Sequence, residues 1–368
     1  MTWLSAVGLM SGTSLDGVDA AVINTDGESI GRLGPTAYRP YTDDERSILI
    51  GALAAARSLT DRGARPRPIA DAEALVTKVH AEVVEALLAA HDIDRGSIAV
   101  VGFHGQTILH RPEQRLTVQI GDGRALAGQL DIPVAYDFRA EDVAQGGEGA
   151  PLVPVFHRAL VRALDRAHPV VVLNVGGVAN ITFIDGETDP IAFDTGPGNA
   201  LIDDFVRLRT GQPYDRDGAL AAQGRPDTAL IDRVLARAFF DRPPPKSLDR
   251  DEFADLELAD ASTPDGAATL TALTAASIAR AAAHLPSMPV HWIVAGGGAR
   301  NRVLIRMLAE RLAPATVETA DVVGWSADAL EAQAFAFLAV RTLKGLPNTF
   351  PSTTGVPRAM AGGLLAQP

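Results

Sequence analysis

The feature that most constrains the fold is a strand, a glycine turn and a second strand, which occur in this order in each half of the chain. In the first half, Ser11-Gly12-Thr13-Ser14 separates the apolar segment Trp3–Met10 from an alternating segment that begins at Val18. In the second half, Gly176-Gly177 follows the apolar segment Val170–Val175 and precedes another strand pattern. Each pair is typical of a hairpin. Because further strands and helices follow in both halves, the sequence predicts two related α/β units.

The chain length also indicates two domains, since domains of about 100–200 residues are typical and the chain has 368 residues. We predict a boundary near Ala167, before the break at His168-Pro169, with residues 1–167 as the N-terminal domain and 168–368 as the C-terminal domain. The last predicted helix, Ala327–Leu343, belongs to the second domain in this division, and packing on the first domain is the alternative. No low-complexity linker separates the halves, so we expect the domains to meet across a cleft.

Composition excludes several classes of function. The chain contains no cysteine, which excludes disulfides, thiolate metal sites and cysteine nucleophiles. Its 33 basic and 45 acidic residues give a net charge of −12, which argues against nonspecific binding to nucleic acid or to an anionic membrane. No segment approaches the ~20 apolar residues of a membrane span, and Met1–Met10 lacks the basic start of a signal peptide. We therefore expect a soluble cytoplasmic protein.

The best-known phosphate-binding motifs are absent. A Walker A loop needs a lysine directly after a glycine, and none of Lys78, Lys246 and Lys344 follows one. The chain also lacks the G-x-G-x-x-G pattern of dinucleotide-binding proteins and the H-E-x-x-H pattern of zinc enzymes. Phosphate binding must therefore depend on backbone N–H groups in glycine turns and on small hydroxyl side chains.

The first glycine turn carries groups that suit an anion. Its glycines let backbone N–H groups approach a phosphate closely, and Ser11, Thr13 and Ser14 add hydroxyl donors. Asp16 is placed to orient the coordination shell of a magnesium ion. An ordinary hairpin turn is the alternative, because spacing alone does not separate the two interpretations.

Three further glycine turns lie at predicted strand ends in the second half. They are Gly176-Gly177, Asp194-Thr195-Gly196-Pro197-Gly198-Asn199 and Gly296-Gly297-Gly298. The second turn places a carboxylate at a strand end, and the third would let a flat base or a phosphate lie against the backbone. Each turn alone is more typical of structure than of a site. Matching hairpin turns in the two halves nevertheless favour a shared role in phosphate binding.

A separate group of segments is more polar than loops require. It comprises Gly102–Thr107, Asp137-Phe138-Arg139 and Gly146–Pro151. His104, Gln106 and Arg139 suit hydrogen bonds to a hydroxylated ligand that carries a carboxylate. The alternative is that Arg139 pairs with Asp142 and that His104 caps a turn. Glu331, in the first turn of the last predicted helix, is by default a favourable partner of the helix dipole.

Together these motifs resemble those of the anhydro-N-acetylmuramic acid kinase family. The stretches that carry the resemblance are Gly8-Leu9-Met10-Ser11-Gly12-Thr13-Ser14-Leu15-Asp16-Gly17, His104-Gly105-Gln106-Thr107, Asp137-Phe138-Arg139, Gly149-Ala150-Pro151-Leu152-Val153-Pro154, Asn174-Val175-Gly176-Gly177, Asp194-Thr195-Gly196-Pro197-Gly198-Asn199 and Gly296-Gly297-Gly298-Ala299. The similarity runs from Gly8 to Thr354-Gly355, essentially the whole chain. It implies the α/β fold of the sugar kinase, actin and Hsp70 class, in which two ribonuclease-H-like domains hold ATP and sugar in the cleft between them.

The resemblance also implies a reaction and residue roles. The reaction would convert 1,6-anhydro-N-acetylmuramic acid, ATP and water into N-acetylmuramic acid 6-phosphate and ADP, in recycling of the bacterial cell wall. Asp194 matches the catalytic base of the family. The ATP-phosphate loop matches Gly12, Thr13, Ser14, Leu15, Asp16, Gly17, Val18 and Asp19. Nucleotide contacts match Gly176, Gly177, Gly296, Gly297 and Gly298, and sugar contacts match His104, Thr107, Arg139 and Glu331.

Several points stay open at this level. Mg²⁺ is implied by ATP and not by any cluster of metal ligands, and a homodimer is implied by the family alone. The stretch Lys246-Ser247-Leu248-Asp249-Arg250-Asp251 departs from the Lys-Ser-Thr-Gly-Arg form of many members, so its role is open. Two alternatives remain: a kinase for another 1,6-anhydro sugar, and a non-catalytic sensor of sugar or nucleotide. Retention of Asp194 and of the Gly12–Asp19 turn argues against the sensor, because a binding module needs no base.

Overall fold

The structure, a computed structural model, describes residues 2–164, 166–249, 252–253, 255–256 and 258–368. Arg250 and Asp251, at the end of the predicted Lys246–Asp251 loop, therefore lie outside the described residues. The chain forms two compact units. The first comprises Met1–Ala163 and Ala329–Pro368, and the second comprises Leu164–Asp328.

The first unit is built on a mixed sheet. Its strands are β1 (Leu4–Ser11), β2 (Gly17–Thr25), β3 (Ile30–Pro40), β4 (Ile98–Arg111), β5 (Leu116–Ile120), β6 (Val134–Tyr136) and, at the end of the chain, β12 (Leu364–Ala366). The first three strands form an antiparallel meander, β4 pairs parallel with β1, and β6 pairs parallel with β4. Strand β12 adds an antiparallel edge to β6, and β5 pairs with β4. The spatial order is β12-β6-β4-β1-β2-β3.

The second unit repeats this topology in a sheet of its own. Its strands are β7 (Val170–Val175), β8 (Val178–Ile184), β9 (Ile191–Pro197), β10 (His291–Ala295) and β11 (Thr316–Thr319). Again three antiparallel strands come first, and two later strands continue the sheet in parallel on the other side of the first strand, in the order β11-β10-β7-β8-β9. The predicted α/β fold with two related, ribonuclease-H-like units is therefore confirmed.

Long helices cover the first sheet. The helices of this unit are α1 (Asp43–Ala56), α2 (Arg67–Ala90), α3 (Gly123–Leu130), α4 (Ala140–Ala144), α5 (Pro154–Arg162), α10 (Leu330–Leu343) and α11 (Pro351–Thr354). Helix α2 lies where the periodicity of Val76, Val79 and Val83 predicts it, and it buries these side chains. Helix α1 was not predicted, although Thr42 and Glu45 form a capping box at its start.

The helices of the second unit are α6 (Ala200–Thr210), α7 (Thr228–Leu235), α8 (Thr263–Ala281) and α9 (Arg302–Leu312). Helix α8 begins seven residues before the predicted Leu270, because the Ser262 side chain accepts a hydrogen bond from Asp265 N and caps an earlier first turn. Its Ala-rich surface is buried almost throughout, next to a core that contains Trp292 and Phe193. In the part of the chain that the structure describes, no helix combines the length and apolar character needed to cross a membrane.

The C-terminal segment corrects the predicted domain division. Residues 329–368 were assigned to the second domain, with packing of the last helix on the first domain as an option. They belong to the first unit, where α10 packs on β1, β2 and β4. The physical reason lies in two glycines of the sheet. A Cβ atom on Gly8 would overlap the backbone of Ala332 and Ala336, and one on Gly102 would overlap the carbonyl oxygen of Phe335. The absence of these two side chains lets the helix backbone lie directly against the strands.

Candidate active site

The turn between β1 and β2 is held from beneath by two buried side chains. Leu15 adopts a positive φ of 55° and is 4% exposed, and its N–H donates to Gly12 O at 3.3 Å. Gln106 Nε2 donates to the same carbonyl at 3.1 Å. Thr13 and Ser14 are exposed at the tip of the turn. The turn therefore presents two hydroxyls on a fixed backbone.

A buried hydrogen-bond network extends this support. Ser11 Oγ donates to Gln106 Oε1 at 2.6 Å and lies 3.0 Å from the Tyr41 hydroxyl. Burial raises the pKa of Tyr41 to about 12, with the hydrogen bond between Tyr41 and Ser11 acting in the opposite direction. Tyr41 is therefore a neutral structural partner at physiological pH. The sequence grouped Gln106 with the ligand-binding residues, whereas the structure gives its side chain a role in fixing the turn.

The eight residues predicted for the phosphate loop fall into two groups. Gly12, Thr13, Ser14 and Asp16 are accessible to a ligand, and Ser14 Oγ donates to Asp16 Oδ1 at 2.8 Å. The side chains of Leu15 and Val18 are buried, a Cβ on Gly17 would strike the Tyr38 ring, and Asp19 is half-buried opposite Met10 in the strand register. These four residues shape the turn, so any contact of Leu15, Gly17 or Val18 with a ligand must come from their backbone.

The polar segments of the first unit bring His104 and Arg139 into direct contact. Arg139 donates from Nε and Nη2 to His104 Nε2 at 3.3 and 3.1 Å, and Nη1 donates to Gly149 O at 2.7 Å. The other ring nitrogen, His104 Nδ1, lies 2.9 Å from Gly105 O. Since Nε2 accepts from a guanidinium, the imidazole is neutral with its proton on Nδ1. His104 therefore orients Arg139 and has no nitrogen left for a ligand.

Burial controls the charges in this cluster. It lowers the pKa of His104 well below its usual value, and the neighbouring Arg139 charge acts in the same direction. It also lowers the pKa of Arg139 to about 10, opposed by the negative charges of Glu331 and Asp142. Arg139 is therefore still a cation at neutral pH. A guanidinium has five N–H donors, and the three described hydrogen bonds leave one on Nη1 and one on Nη2 for another acceptor.

Helix α10 brings Glu331 to the same cluster. Glu331 and Phe335 are four residues apart on one helix face, and the Phe335 ring lies 4.7 Å from the His104 ring, centroid to centroid. Glu331 is exposed, yet the surrounding protein desolvates its carboxyl and raises the pKa, with Asp16 adding to the effect and Arg139 opposing it. Asp16, Arg139 and Glu331 therefore interact electrostatically within the first unit.

Thr107 is placed differently from the other predicted sugar-binding residues. It is half-buried on β4, and its hydroxyl accepts a hydrogen bond from Gln119 Nε2 at 3.2 Å. Among the described residues, the structure pairs it with Gln119 and not with the His104–Arg139 cluster. The predicted ion pair between Arg139 and Asp142 is also not formed: both residues instead contact Gly149, one through its O and the other through its N–H.

In the second unit, Asp194 lies on β9 beside the loop that the sequence left without a role. Its N–H donates to Lys246 O at 3.0 Å, and its Oδ2 accepts from Leu248 N at 2.8 Å. The loop thus continues the sheet edge and fixes the direction of the carboxylate. Backbone groups of Lys246 and Leu248 make these bonds, so the departure of this stretch from the usual family sequence does not remove them.

Lys246 itself is a functional candidate that the sequence did not identify. It is 5% exposed, its Nζ donates to Phe239 O at 3.1 Å, and the nitrogen lies 4.7 Å from the Phe239 ring centroid and 5.7 Å from that of Phe193. Burial lowers the pKa of this ammonium to about 8, and the charge of Asp194 opposes the shift. The Pro-rich run before it predicts a solvated loop, which concealed the burial.

The turn between β7 and β8 is locked to the start of α6. Asn199 N donates to Gly176 O at 2.7 Å, Gly198 N donates to Gly177 O at 3.0 Å, and Asn199 Nδ2 donates to Val175 O at 3.0 Å. These bonds use the carbonyl groups of the turn. The N–H groups of the glycines and the first turn of the helix are the donors that an anion would need.

The predicted nucleotide-side glycines differ in what the fold requires of them. Gly296 has a φ of 76°, and a Cβ on Gly298 would overlap Val175, so the local structure needs glycine at both positions. Gly176, Gly177 and Gly297 have no positive φ, and a Cβ there would meet no protein atom closer than 3.3 Å. Gly12 in the first unit behaves in the same way, with 3.6 Å of room. A Cβ would make only ordinary contacts at Gly12, Gly176 and Gly177 and a close contact with Asn199 Nδ2 at Gly297, so protein packing does not force glycine at these four positions.

A cavity of 380 Å³ adjoins Gly297 in the second unit. It is lined by Asn199, Ile202, Asp203, Tyr214, Asp215, Arg216, Asp217, Gly297, Arg300 and Asn301. Asp215 accepts hydrogen bonds from Leu220 N and Ala221 N, so its carboxylate shapes the wall. Sequence reasoning missed the segment Tyr214–Asp217, because it follows α6 with no glycine motif. Among the residues that the structure describes, no group of three or more acidic or histidine side chains is spaced to hold a metal ion.

Known proteins resemble this chain over nearly its whole length. Residues 4–367 match the model of the family described as anhydro-N-acetylmuramic acid kinase. The anhydro-N-acetylmuramic acid kinase of Rhodopseudomonas palustris (strain BisB18) is 60% identical over 365 residues, and that of Nitrobacter winogradskyi is 59% identical over 365 residues. Each alignment covers 99% of this chain and 100% of the relative.

Solved structures are more distant. Component A of (R)-2-hydroxyglutaryl-CoA dehydratase from Acidaminococcus fermentans aligns with 93% of this chain and 99% of that chain, at 12% identity and a TM-score of 0.46. This likeness is slight, and the fold assignment rests on the two sheet topologies described above.

Proposed function

The chain belongs to the anhydro-N-acetylmuramic acid kinase family and is a kinase, and from that premise we propose that it opens 1,6-anhydro-N-acetylmuramic acid with water while phosphorylating its 6-oxygen from ATP. The products are N-acetylmuramic acid 6-phosphate and ADP, and the reaction serves recycling of the bacterial cell wall in the cytoplasm. The observation that carries the substrate assignment is Arg139, a cation with two unused N–H donors on adjacent nitrogens. That fork suits the lactyl carboxylate of the muramic acid.

The chemistry requires a base and a phosphate acceptor. The anhydro bridge is a glycosidic bond, and its hydrolysis needs a water molecule that is deprotonated as it attacks the anomeric carbon. We assign that proton to the Asp194 carboxylate, whose direction is fixed by Leu248 N. The 6-oxygen that leaves the anomeric carbon carries the electron pair that attacks the γ-phosphorus, so its transfer to phosphate replaces protonation by a separate acid.

The phosphates of ATP are assigned to the glycines that packing does not explain. Gly12 with the Thr13 and Ser14 hydroxyls supports one contact, and Gly176, Gly177 and Gly297 support the others. The cavity lined by Tyr214 and Asp217 is assigned to the nucleoside. Mg²⁺ bound to ATP uses phosphate and water oxygens with one or two carboxylates, and Asp16 is the accessible carboxylate that fits this set. The metal would neutralise charge on the phosphates.

The proposal for Asp194 is tested with oxygen-labelled water. Incubation with the anhydro sugar and ATP is expected to place the label at the anomeric hydroxyl of the product. Asp194→Asn is expected to lose turnover by about a thousandfold or more while ADP and ATP still bind, and Asp185→Asn, an exposed change of the same kind, is the control. Product formed without label, or turnover close to wild type in Asp194→Asn, would refute the role of Asp194 as base.

The proposal for Arg139 is tested with two sugars. Arg139→Ala is expected to weaken binding of 1,6-anhydro-N-acetylmuramic acid by about a hundredfold and to leave binding of 1,6-anhydro-N-acetylglucosamine, which has no lactyl group, nearly unchanged. Calorimetric titration measures both, with the exposed Arg124→Ala as control. Equal losses of affinity for the two sugars would show that Arg139 does not bind the lactyl carboxylate. A wild-type protein that releases ADP only with the neutral sugar would favour a kinase for another anhydro sugar.

The predicted homodimer remains a prediction. Sedimentation velocity of the purified protein, with and without ATP, measures it directly.

A further inference from the structure

We propose that Asp142 is a positioning residue, which sets the direction of the Arg139 guanidinium through the peptide groups of the loop at residues 146–149 and thereby sets the preference for an acidic sugar. The inference rests on the proposed function of Arg139. It adds a residue that touches neither sugar nor nucleotide.

The loop is wrapped around the Asp142 carboxylate. Asp142 is 1% exposed, on α4, and its Oδ1 accepts from Gly149 N at 2.7 Å. Its backbone O accepts from Gly147 N at 2.9 Å, and a Cβ on Gly147 would overlap the carboxylate. The loop therefore follows the position of this one side chain, and glycine at 147 permits the close approach.

Gly149 connects Asp142 to Arg139 through its two peptide groups. Its N–H is bound by Asp142, while its carbonyl oxygen accepts from Arg139 Nη1 at 2.7 Å. A positive φ of 68° at Gly149 gives the two groups these directions. With His104 binding Nε and Nη2 on the other side, Gly149 O fixes the remaining rotation of the guanidinium plane. One N–H on Nη1 and one on Nη2 remain outside these three hydrogen bonds.

The second carboxylate oxygen connects Asp142 to the C-terminal segment. Thr354, fully buried in α11, donates from Oγ1 to Asp142 Oδ2 at 2.7 Å, and its carbonyl accepts from Glu148 N at 2.7 Å. Thr354 thus holds both the carboxylate and the loop. Both oxygens of Asp142 are occupied, and each hydrogen bond leads toward the loop that carries Gly149.

The hydrogen bonds of Asp142 do not by themselves require a carboxylate. An asparagine in this position would still accept from Gly149 N and would place its amide against Thr354, at a lower cost of burial than a carboxylate. Among the described residues, Asp142 has no cation within ion-pair distance. Its charge acts instead across the loop on Arg139, whose cationic form it favours. The carboxylate therefore supplies both geometry and charge to the Arg139 guanidinium, and its charge also acts on His110.

The test compares Asp142→Asn with Glu141→Gln, an exposed carboxylate-to-amide change at the preceding position on α4. Calorimetry and steady-state kinetics measure the affinity for 1,6-anhydro-N-acetylmuramic acid, for its neutral glucosamine counterpart, and for ATP. Asp142→Asn is expected to weaken the acidic sugar by about tenfold, with ATP and the neutral sugar within about twofold of wild type. Glu141→Gln is expected to change none of the three.

A double-variant cycle separates positioning from general damage. In an Arg139→Ala background, Asp142→Asn is expected to cause no further loss of acidic-sugar affinity, because the residue it acts through is gone. Thr354→Val, which keeps the carboxylate and removes one of its bonds, is expected to give a smaller loss of the same selective kind. If Asp142→Asn does not fold, the affinities of Thr354→Val for the two sugars test the positioning role of Asp142 instead.

Three results would overturn the inference: equal losses for both sugars, a full loss in the Arg139→Ala background, or no loss in either Asp142→Asn or Thr354→Val. A wild-type protein that binds the acidic sugar but turns over neither sugar would instead refute the proposed reaction. The binding cycle would still report whether Asp142 acts through Arg139.

Discussion

Lys246 is a buried side chain whose environment disfavours the charged ammonium. Its ammonium has one carbonyl partner and two aromatic rings, and no carboxylate accepts a hydrogen bond from it in the described residues. The pKa of about 8, against 10.5 for an exposed lysine, means that burial disfavours the charged form of this group in the folded protein. Phe239 is close to Lys246 in the sequence, but Phe193 lies on β9, in a distant part of the chain, so the local pattern alone did not predict this environment.

Lys246→Met is therefore expected to raise the melting temperature at pH 7 by a few degrees. In the folded wild type the ammonium loses its proton near pH 8, and in the unfolded chain near 10.5. The unfolded state binds more protons between these values, so wild-type stability rises across that window and the advantage of the variant shrinks. Thermal melts from pH 7 to 10.5 measure the difference, with the exposed Lys78→Met as control. A constant difference across that range would contradict the prediction.

At the scale of elements, α10 connects the first sheet with the cluster of His104 and Arg139. Its start carries Glu331, its next turn places Phe335 on the His104 ring, and its backbone lies against Gly8 and Gly102. The helix itself was predictable from sequence, as Ala327–Leu343. The sequence placed it in the second domain and gave packing on the first domain only as an option, because the Ala and Phe residues that bury it fit either sheet equally well.

Gly8→Ala is expected to destabilise the protein by about 3 kcal/mol or more, since the added methyl overlaps the Ala332 and Ala336 backbone and forces α10 away from β1. Gly51→Ala makes the same chemical change on the exposed side of α1, where no atom lies within 4 Å, and is expected to stabilise the helix by about 0.5–1 kcal/mol. Denaturant unfolding measures both. Similar effects in the two variants would show that the sheet tolerates a side chain beneath α10.

At the scale of the whole molecule, three buried histidines lie in the first unit. Burial lowers the pKa of His80 to about 4 and of His157 to about 3, and it lowers that of His104 well below its usual value. Each is neutral in the folded protein and takes up a proton near pH 6.5 when unfolded. The stability that they contribute is therefore present above pH 6.5 and is lost as the pH falls toward the folded values.

Lowering the pH from 7.5 to 5.5 is expected to cost roughly 4 kcal/mol of stability, about 1.4 kcal/mol for each histidine. Urea unfolding at the two pH values measures the total, and hydrogen exchange in β1 and β4 assigns the loss to the first unit. His80→Gln is expected to reduce it by about a third. A loss that is the same in wild type and in His80→Gln would show that carboxylates cause the acid sensitivity.

The glycine motifs of the sequence were sufficient to predict the repeated topology, because hairpins at Ser11–Gly17 and Val175–Val178 are specified by local turn chemistry. The role of each glycine in the candidate site was less predictable. Whether the fold requires a glycine, as at Gly298, or does not require one, as at Gly297, depends on neighbours such as Val175 that only the folded chain brings close. The same holds for Asp142, whose expected partner was Arg139 itself and not the Gly149 peptide group.

The chain leaves the first unit at Ala163 and re-enters it at Ala329. At about 5–20 residues per second of synthesis, roughly ten to thirty seconds separate these two points on the ribosome. During that interval β1 and β4, which carry Gly8 and Gly102, lack the helix that covers them. The second unit is one continuous stretch of chain, so all of its residues are synthesised within the same interval. The face of the first sheet that α10 covers is therefore completed only when Leu330–Leu343 has been synthesised.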